Sequence, residues 1–112
     1  MTYSLNRLML ATALLCLAAC ANGVKSMIID VRTVEEWKAG HLASAQHLQL
    51  ELLASNISEL ATDKDQPIYL YCRSGNRSGQ AKTILEALGY SQVTNAGGLR
   101  DASELLAEQI IQ

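Results

Sequence analysis

Apolar positions past residue 26 fall into short continuous runs and spaced stripes, and the two patterns alternate. Met27-Ile28-Ile29-Asp30-Val31 is an apolar run ending beside a charge, the pattern of a strand buried on both faces. Thr33-Val34-Glu35-Glu36 then reads as a capping box: Thr33 caps a brief helix, Glu36 reaches back to its N–H, and Gly40 supplies the stop. Ala45 to Leu48 is a short strand. From Leu50 to Ala61, Leu50, Leu53, Ala54, Ile57 and Leu60 recur at helical spacing, and Thr62 to Gln66 is a polar turn. Pro67 opens a strand over Ile68 to Tyr71, in which Tyr69 and Tyr71 alternate with Ile68 and Leu70. The spacing of Ala81, Ile84, Leu85 and Leu88 predicts a helix over 78–88 ended by Gly89. Ser91 to Asn95 is a last strand and Gly97-Gly98 a turn. Leu99 to Ile111 is a closing helix with Leu105, Leu106 and Ile110 facing inward.

Strand followed by helix, repeated four times, predicts an α/β domain: a parallel sheet of about four strands with helices on both faces. Right-handed crossovers bring the C-terminal strand ends to one edge, where ligands bind in such sheets. Asp30-Val31-Arg32, Tyr71-Cys72-Arg73 and Asn95-Ala96-Gly97-Gly98 meet there.

The 112 residues suit one domain, and the apolar and charged fractions are those of an ordinary globular chain. Net charge is −2 and no basic run exists, which argues against nucleic acid as a partner. The two histidines, His41 and His47, have no cysteine near them in sequence, and no metal site is expected.

The N-terminal segment sits outside this pattern. Met1 to Arg7 is polar with one positive charge, and Leu8 to Ala19 is an unbroken run of small and apolar residues. Twelve residues fall short of the ~20 a membrane-spanning helix needs. Residues 1–19 are read as a secretory signal peptide, 20–26 as a linker and 27–112 as the domain. Two processing patterns fit: Leu17-Ala18-Ala19-Cys20 resembles a lipoprotein signal with Cys20 lipidated, and Ala19-Cys20-Ala21 fits ordinary cleavage after Ala21. Export to the periplasm is expected in either case, with membrane association only through a Cys20 lipid anchor. Of Cys16, Cys20 and Cys72, Cys72 alone is then expected to remain a free thiol, which is unusual where disulfides are the norm.

Cys72 stands where the strand ends and a polar loop leads into a helix. Gly75 and Gly79 let the backbone curl so that several N–H groups can point at one sulfur. The helix N-terminus faces the same point, and Arg73 and Arg77 add two positive charges. Each effect favours thiolate and lowers the pKa from the free value of ~8.5. No carboxylate or histidine lies close by in sequence to act as a base. That suits attack by the thiolate on sulfur better than ester or peptide hydrolysis.

Tyr71-Cys72-Arg73-Ser74-Gly75-Asn76-Arg77-Ser78, the earlier Asp30-Val31-Arg32, Glu35-Glu36-Trp37, Gly40-His41-Leu42, and the later Gly97-Gly98-Leu99 resemble the rhodanese family in matching order. The likeness covers residues 27 to about 106 and is nearest to its exported, single-domain thiosulfate sulfurtransferase type. It implies a small rhodanese-like domain in which Cys72 takes the outer sulfur of thiosulfate, releases sulfite, and passes the persulfide sulfur to cyanide or a thiol. The persulfide is then a covalent intermediate and no cofactor is implied. Arg73, Ser74, Gly75, Asn76, Arg77 and Ser78 would form the substrate-binding and persulfide-cradling loop, with Arg73 steering the dianion. Asp30 and Arg32 would support it by ion pairing, tying the first strand to the site edge. His41 is expected to fix a turn, Trp37 to anchor the core, and the protein to be a monomer. The alternative is a sulfane-sulfur carrier or sensor without turnover.

Loop length bears on a third class. Cysteine-based phosphatases use C-x-x-x-x-x-R, and related arsenate reductases have seven-residue loops. Here Ser78 occupies the phosphatase arginine position, and the smaller ring suits one sulfur better than a tetrahedral phosphate. Ser44 and Gln49 depart from the family's usual glycine and proline, and the usual tryptophan after the double glycine is absent.

Overall fold

The computed structural model describes residues 26–112. The expected signal peptide, the Cys20 lipidation candidate and all of the linker but Ser26 lie outside the described residues. The elements run β1 (Met27–Asp30), α1 (Val34–Ala39), β2 (His41–Leu42), β3 (Gln46–His47), α2 (Leu50–Leu60), β4 (Ile68–Cys72), α3 (Asn76–Ala87), β5 (Val93–Gly98), α4 (Leu99–Leu106) and β6 (Ile110–Ile111).

The predicted α/β architecture is the observed one: a four-stranded, wholly parallel sheet in the order β3-β1-β4-β5. The two-residue period of β4 divides its side chains between two cores. Ile68, Leu70 and Cys72 pack with Ile29, Leu53 and Ile57 of α2, and Ala81 and Leu85 of α3. Tyr71 points to the other face, against Leu42, Ala96 and Ala102 of α4. Helices therefore cover both faces. Leu53, Ile68, Leu70 and Leu85 are fully buried, each stabilising the fold by about 1.5–3 kcal/mol. The two-faced packing fixes the direction of Cys72: it belongs to the α2–α3 side and emerges beneath the start of α3.

Local punctuation follows the sequence in several places. The Thr33–Glu36 capping box forms, and Gly40 (φ 151°) and Gly89 (φ 96°) end their helices in backbone conformations that suit glycine. Other expectations are corrected. The closing helix stops at Leu106, because Ala107 takes a left-handed conformation and donates back to Ser103 O. Ile110 and Ile111, β-branched and poor helix formers, instead pair antiparallel with Leu42 and His41. Leu105 is consequently 60% exposed and Ile110 39%, and neither faces inward. Leu88 and Ala54 are also exposed. The expected Gly97-Gly98 turn is the end of β5, where a register shift opposite Leu70–Cys72 brings Gly98 beside Cys72. The strand of 45–48 is reduced to Gln46–His47, and α3 starts two residues early, at Asn76.

Trp37 is not a core anchor. Half-buried, it stacks between two imidazoles, 3.5 Å from His41 and 5.0 Å from His47 between ring centroids. His41 Nδ1 lies 2.8 Å from Trp37 O and His47 Nε2 2.7 Å from Arg32 O. Because both partners are carbonyls, each of these nitrogens carries a proton and donates it.

Candidate active site

Cys72 ends β4 and is 1% exposed. The chain then curls through Gly75, whose left-handed backbone (φ 96°) turns its N–H inward to donate to Sγ at 3.0 Å. Two residues into α3, the fully buried Ser78 places its hydroxyl 3.3 Å from the same sulfur. Burial pushes the thiol up, but the Ser78 hydroxyl and the backbone N–H groups of Ser78, Ser74 and Gly75 outweigh it, and the net effect lowers the Cys72 pKa. The sulfur thus sits in a ring of donors built by one contiguous stretch, at the N-terminal end of a helix.

The two loop arginines part company. Arg73 is exposed and has no ion-pair partner among the described residues. Arg77 makes a bidentate pair with Glu36 of α1, at 2.6 and 2.9 Å. Glu36 is held at a pKa of about 2, mainly by that guanidinium and against the effect of its partial burial. The same carboxylate still accepts from Thr33 N–H at 3.2 Å, so the Glu36 that closes the capping box of α1 also clamps the sulfur loop. Asn76 lies at the exposed start of α3, where its side-chain oxygen accepts from Gln80 at 3.0 Å.

Asp30 and Arg32 meet at the end of β1. Asp30 is fully buried and Arg32 nearly so, with Nη2 2.7 Å from Asp30 Oδ2 and 2.6 Å from Gly40 O. The Arg32 guanidinium carbon lies 5.5 Å from the Tyr71 ring centroid. Tyr71 in turn accepts from Leu42 N–H at 3.1 Å. The pair therefore links β1, the end of α1 and β4, and lies on the face of the sheet opposite the sulfur.

Two supports had little sequence signal. Asn95 of β5 donates Nδ2–H to Gly75 O at 2.9 Å, while its Oδ1 takes Ser78 Oγ–H at 2.7 Å and Gly97 N–H at 3.0 Å. The Asn-x-Gly-Gly run at a strand end marked the segment but not the side chain. Gly98 is the other: an added Cβ would lie 2.5 Å from Arg73 O. Its lack of a side chain lets the sulfur loop rest on β5. Among the described residues no cluster of three or more His, Cys, Asp or Glu could hold a metal ion, and no helix is long and apolar enough to cross a membrane.

This arrangement favours the anionic form of the sulfur and turns hydrogen-bond donors toward it. Among the described residues the hydrogen-bond partners of the sulfur are the Ser78 hydroxyl and the Gly75 N–H, and both histidines are engaged in the Trp37 stack.

A family model described as rhodanese-like domain matches residues 15–103. The thiosulfate sulfurtransferase PspE of Escherichia coli strain K12 is 41% identical over 73 residues, 65% of this chain and 70% of that protein. A sulfurtransferase of Allochromatium vinosum is 38% identical over 72 residues, 64% of this chain and 65% of that protein. Among solved structures, a rhodanese with anions from E. coli superposes with a TM-score of 0.72 at 35% identity, covering 79% of this chain and 99% of that one.

Proposed function

The chain belongs to the rhodanese-like domain family, and on that footing we propose that it is a sulfurtransferase that moves sulfane sulfur through a persulfide on Cys72. The observation that carries this reading is the convergence of Gly75 N–H and Ser78 Oγ on a buried, pKa-lowered sulfur without a neighbouring base. In the first half-reaction the Cys72 thiolate attacks the outer sulfur of thiosulfate. A new S–S bond forms, the old one breaks, and sulfite leaves with the bonding electron pair. The anionic outer sulfur of the persulfide then lies among the N–H groups of residues 73–78. In the second half-reaction cyanide or a thiolate attacks that sulfur, and Cys72 thiolate departs. Neither half needs a proton removed or a cofactor, which matches the absence of a base at the sulfur.

Arg73, uncompensated and exposed, is the cation that draws the dianion in. Arg77 is neutralised by Glu36 and chiefly braces the loop. Asp30 and Arg32 hold the sheet edge beneath it. We also propose that the protein is exported to the periplasm, its leader ending near Cys20. That reading rests on the positive start, the apolar run and the small residues before Cys20.

The test mixes protein, thiosulfate and cyanide, follows thiocyanate, and weighs the protein for one added sulfur. Wild type is expected to take up sulfur and turn over, and Cys72→Ser to do neither. An undiminished rate in Cys72→Ser, or no sulfur adduct on wild type, refutes the proposal. An adduct without turnover makes the protein a sulfur carrier. Membrane partitioning and mass of Cys20→Ala distinguish lipidation from simple cleavage.

A further inference from the structure

The Ser78 hydroxyl has one proton and two acceptors within reach. Asn95 Oδ1 lies at 2.7 Å and Cys72 Sγ at 3.3 Å. The orientation of the Asn95 amide is fixed independently of Ser78. Its Oδ1 must face Gly97 N–H, a donor, and its Nδ2 must face Gly75 O, an acceptor. Ser78 therefore always meets an acceptor on the Asn95 side.

We propose that Asn95 is a positioning residue for the ionisation of Cys72: it holds the Ser78 hydroxyl proton while Cys72 is a thiol and yields it when Cys72 becomes a thiolate. In the thiol form Sγ–H donates to Ser78 Oγ, and Ser78 Oγ–H donates to Asn95 Oδ1. On ionisation the thiol proton leaves to a solvent base. The Ser78 hydroxyl then rotates about its Cβ–Oγ bond and donates to the sulfur anion, while Asn95 Oδ1 keeps Gly97 N–H. No bond to carbon changes and nothing is oxidised. Asn95 also holds the carbonyl of Gly75, the residue whose N–H is the other donor to sulfur. One side chain of β5 thus governs two of the groups that stabilise the thiolate. Its outer edge is exposed, so water takes up the acceptor capacity that Ser78 vacates.

This deepens the reading of Cys72 as nucleophile, and its test uses no sulfur donor, so it stands or falls apart from the sulfurtransferase assay. The charged groups around the site are Arg73 on the loop, Arg77 of α3 with Glu36 of α1, Asp30 and Arg32 after β1, and Asp101 of α4. All are unchanged in the variants used. In the full chain, alkylation of Cys72 by iodoacetamide is followed across pH at the Cys72 peptide. Asn95→Asp places a second anion near sulfur and grips the hydroxyl proton more tightly, so its midpoint is expected to rise by about one pH unit. Ser78→Ala is expected to raise it as well. In the Ser78→Ala background the Asn95→Asp shift is expected to be smaller, with the remainder coming from the new charge and the lost hold on Gly75 O. An unmoved midpoint in folded Asn95→Asp, or an equal shift with and without Ser78, overturns the proposal.

A second measurement needs no variant to fold. In wild type the side-chain carbonyl carbon of Asn95 is expected to titrate with the Cys72 midpoint in the NMR spectrum, because Oδ1 exchanges the Ser78 hydroxyl for water at that step. A carbonyl resonance that stays flat through the Cys72 titration overturns the proposal.

Discussion

Gly98→Ala adds one methyl group and no charge, and it tests how the sulfur loop is seated. The new Cβ would lie 2.5 Å from Arg73 O, 3.3 Å from Arg73 C and 3.3 Å from Asp101 Oδ2. Ordinary contact begins near 3.4 Å, so about 0.9 Å of separation has to be found. Neither strand gives way easily: Gly98 is the register partner of Cys72, and Leu70 in the same strand is fully buried. The softest way out moves the Arg73 peptide, and with it the donors around Sγ. Overpacking of this kind costs about 1–3 kcal/mol. For a domain of this size that lowers Tm by roughly 4–8 °C per kcal/mol. A misplacement near 1 Å at a reacting centre costs on the order of 100-fold in rate. The expected result at 25 °C, well below the melting transition, is a 10- to 100-fold fall in thiosulfate:cyanide turnover with circular dichroism unchanged. Wild-type turnover together with wild-type Tm would refute the seating of the loop on β5. A loss of turnover that merely tracks the unfolded fraction would refute the local displacement.

Two other perturbations address the supports. Asp30→Asn leaves the Arg32 guanidinium buried without its counter-charge, a loss expected at about 3–5 kcal/mol and read by urea unfolding at pH 7. A change below 1 kcal/mol would mean that water or another group neutralises Arg32. Glu36→Gln removes a carboxylate whose pKa is lowered from 4.5 to about 2. Because the folded value is depressed, its contribution is complete above pH 4.5 and is lost as pH falls toward 2. The shift corresponds to about 3 kcal/mol at most, and solvent screening of this part-exposed pair reduces it to about 1–2 kcal/mol. Wild type is therefore expected to exceed Glu36→Gln in urea stability by that amount at pH 7, and the curves to converge near pH 2. A gap independent of pH would rule out the ion pair as its source.

The order of strands and helices, and the edge where Cys72 emerges, were legible because β4 is an apolar run and α2 is spaced at the helical period. The sulfur loop was legible because it is contiguous, from Cys72 to Ser78. What the pattern did not carry comes from distant pairing. Ile110 and Ile111 continue a helical stripe on paper, yet Ala107 breaks the helix and an open edge at His41–Leu42 captures them. Glu36 read as a helix cap, and its second role needs Arg77, 41 positions away, to fold against it. Trp37 read as core because tryptophan is large and apolar, whereas two imidazoles cover its faces. Asn95 is one polar residue at a strand end, and only the parallel register places it over Gly75 and Ser78.

The Trp37 sandwich has an optical consequence. The chain contains a single tryptophan, so its whole indole emission originates from one ring held between His41 and His47. The next residue back, Glu36, grips Arg77 of the sulfur loop. Rearrangements that pull on α1 through the Glu36–Arg77 pair will register in that emission, whereas those that leave the pair in place will stay dark. The molecule thus carries a built-in lamp wired to one side of the Cys72 loop.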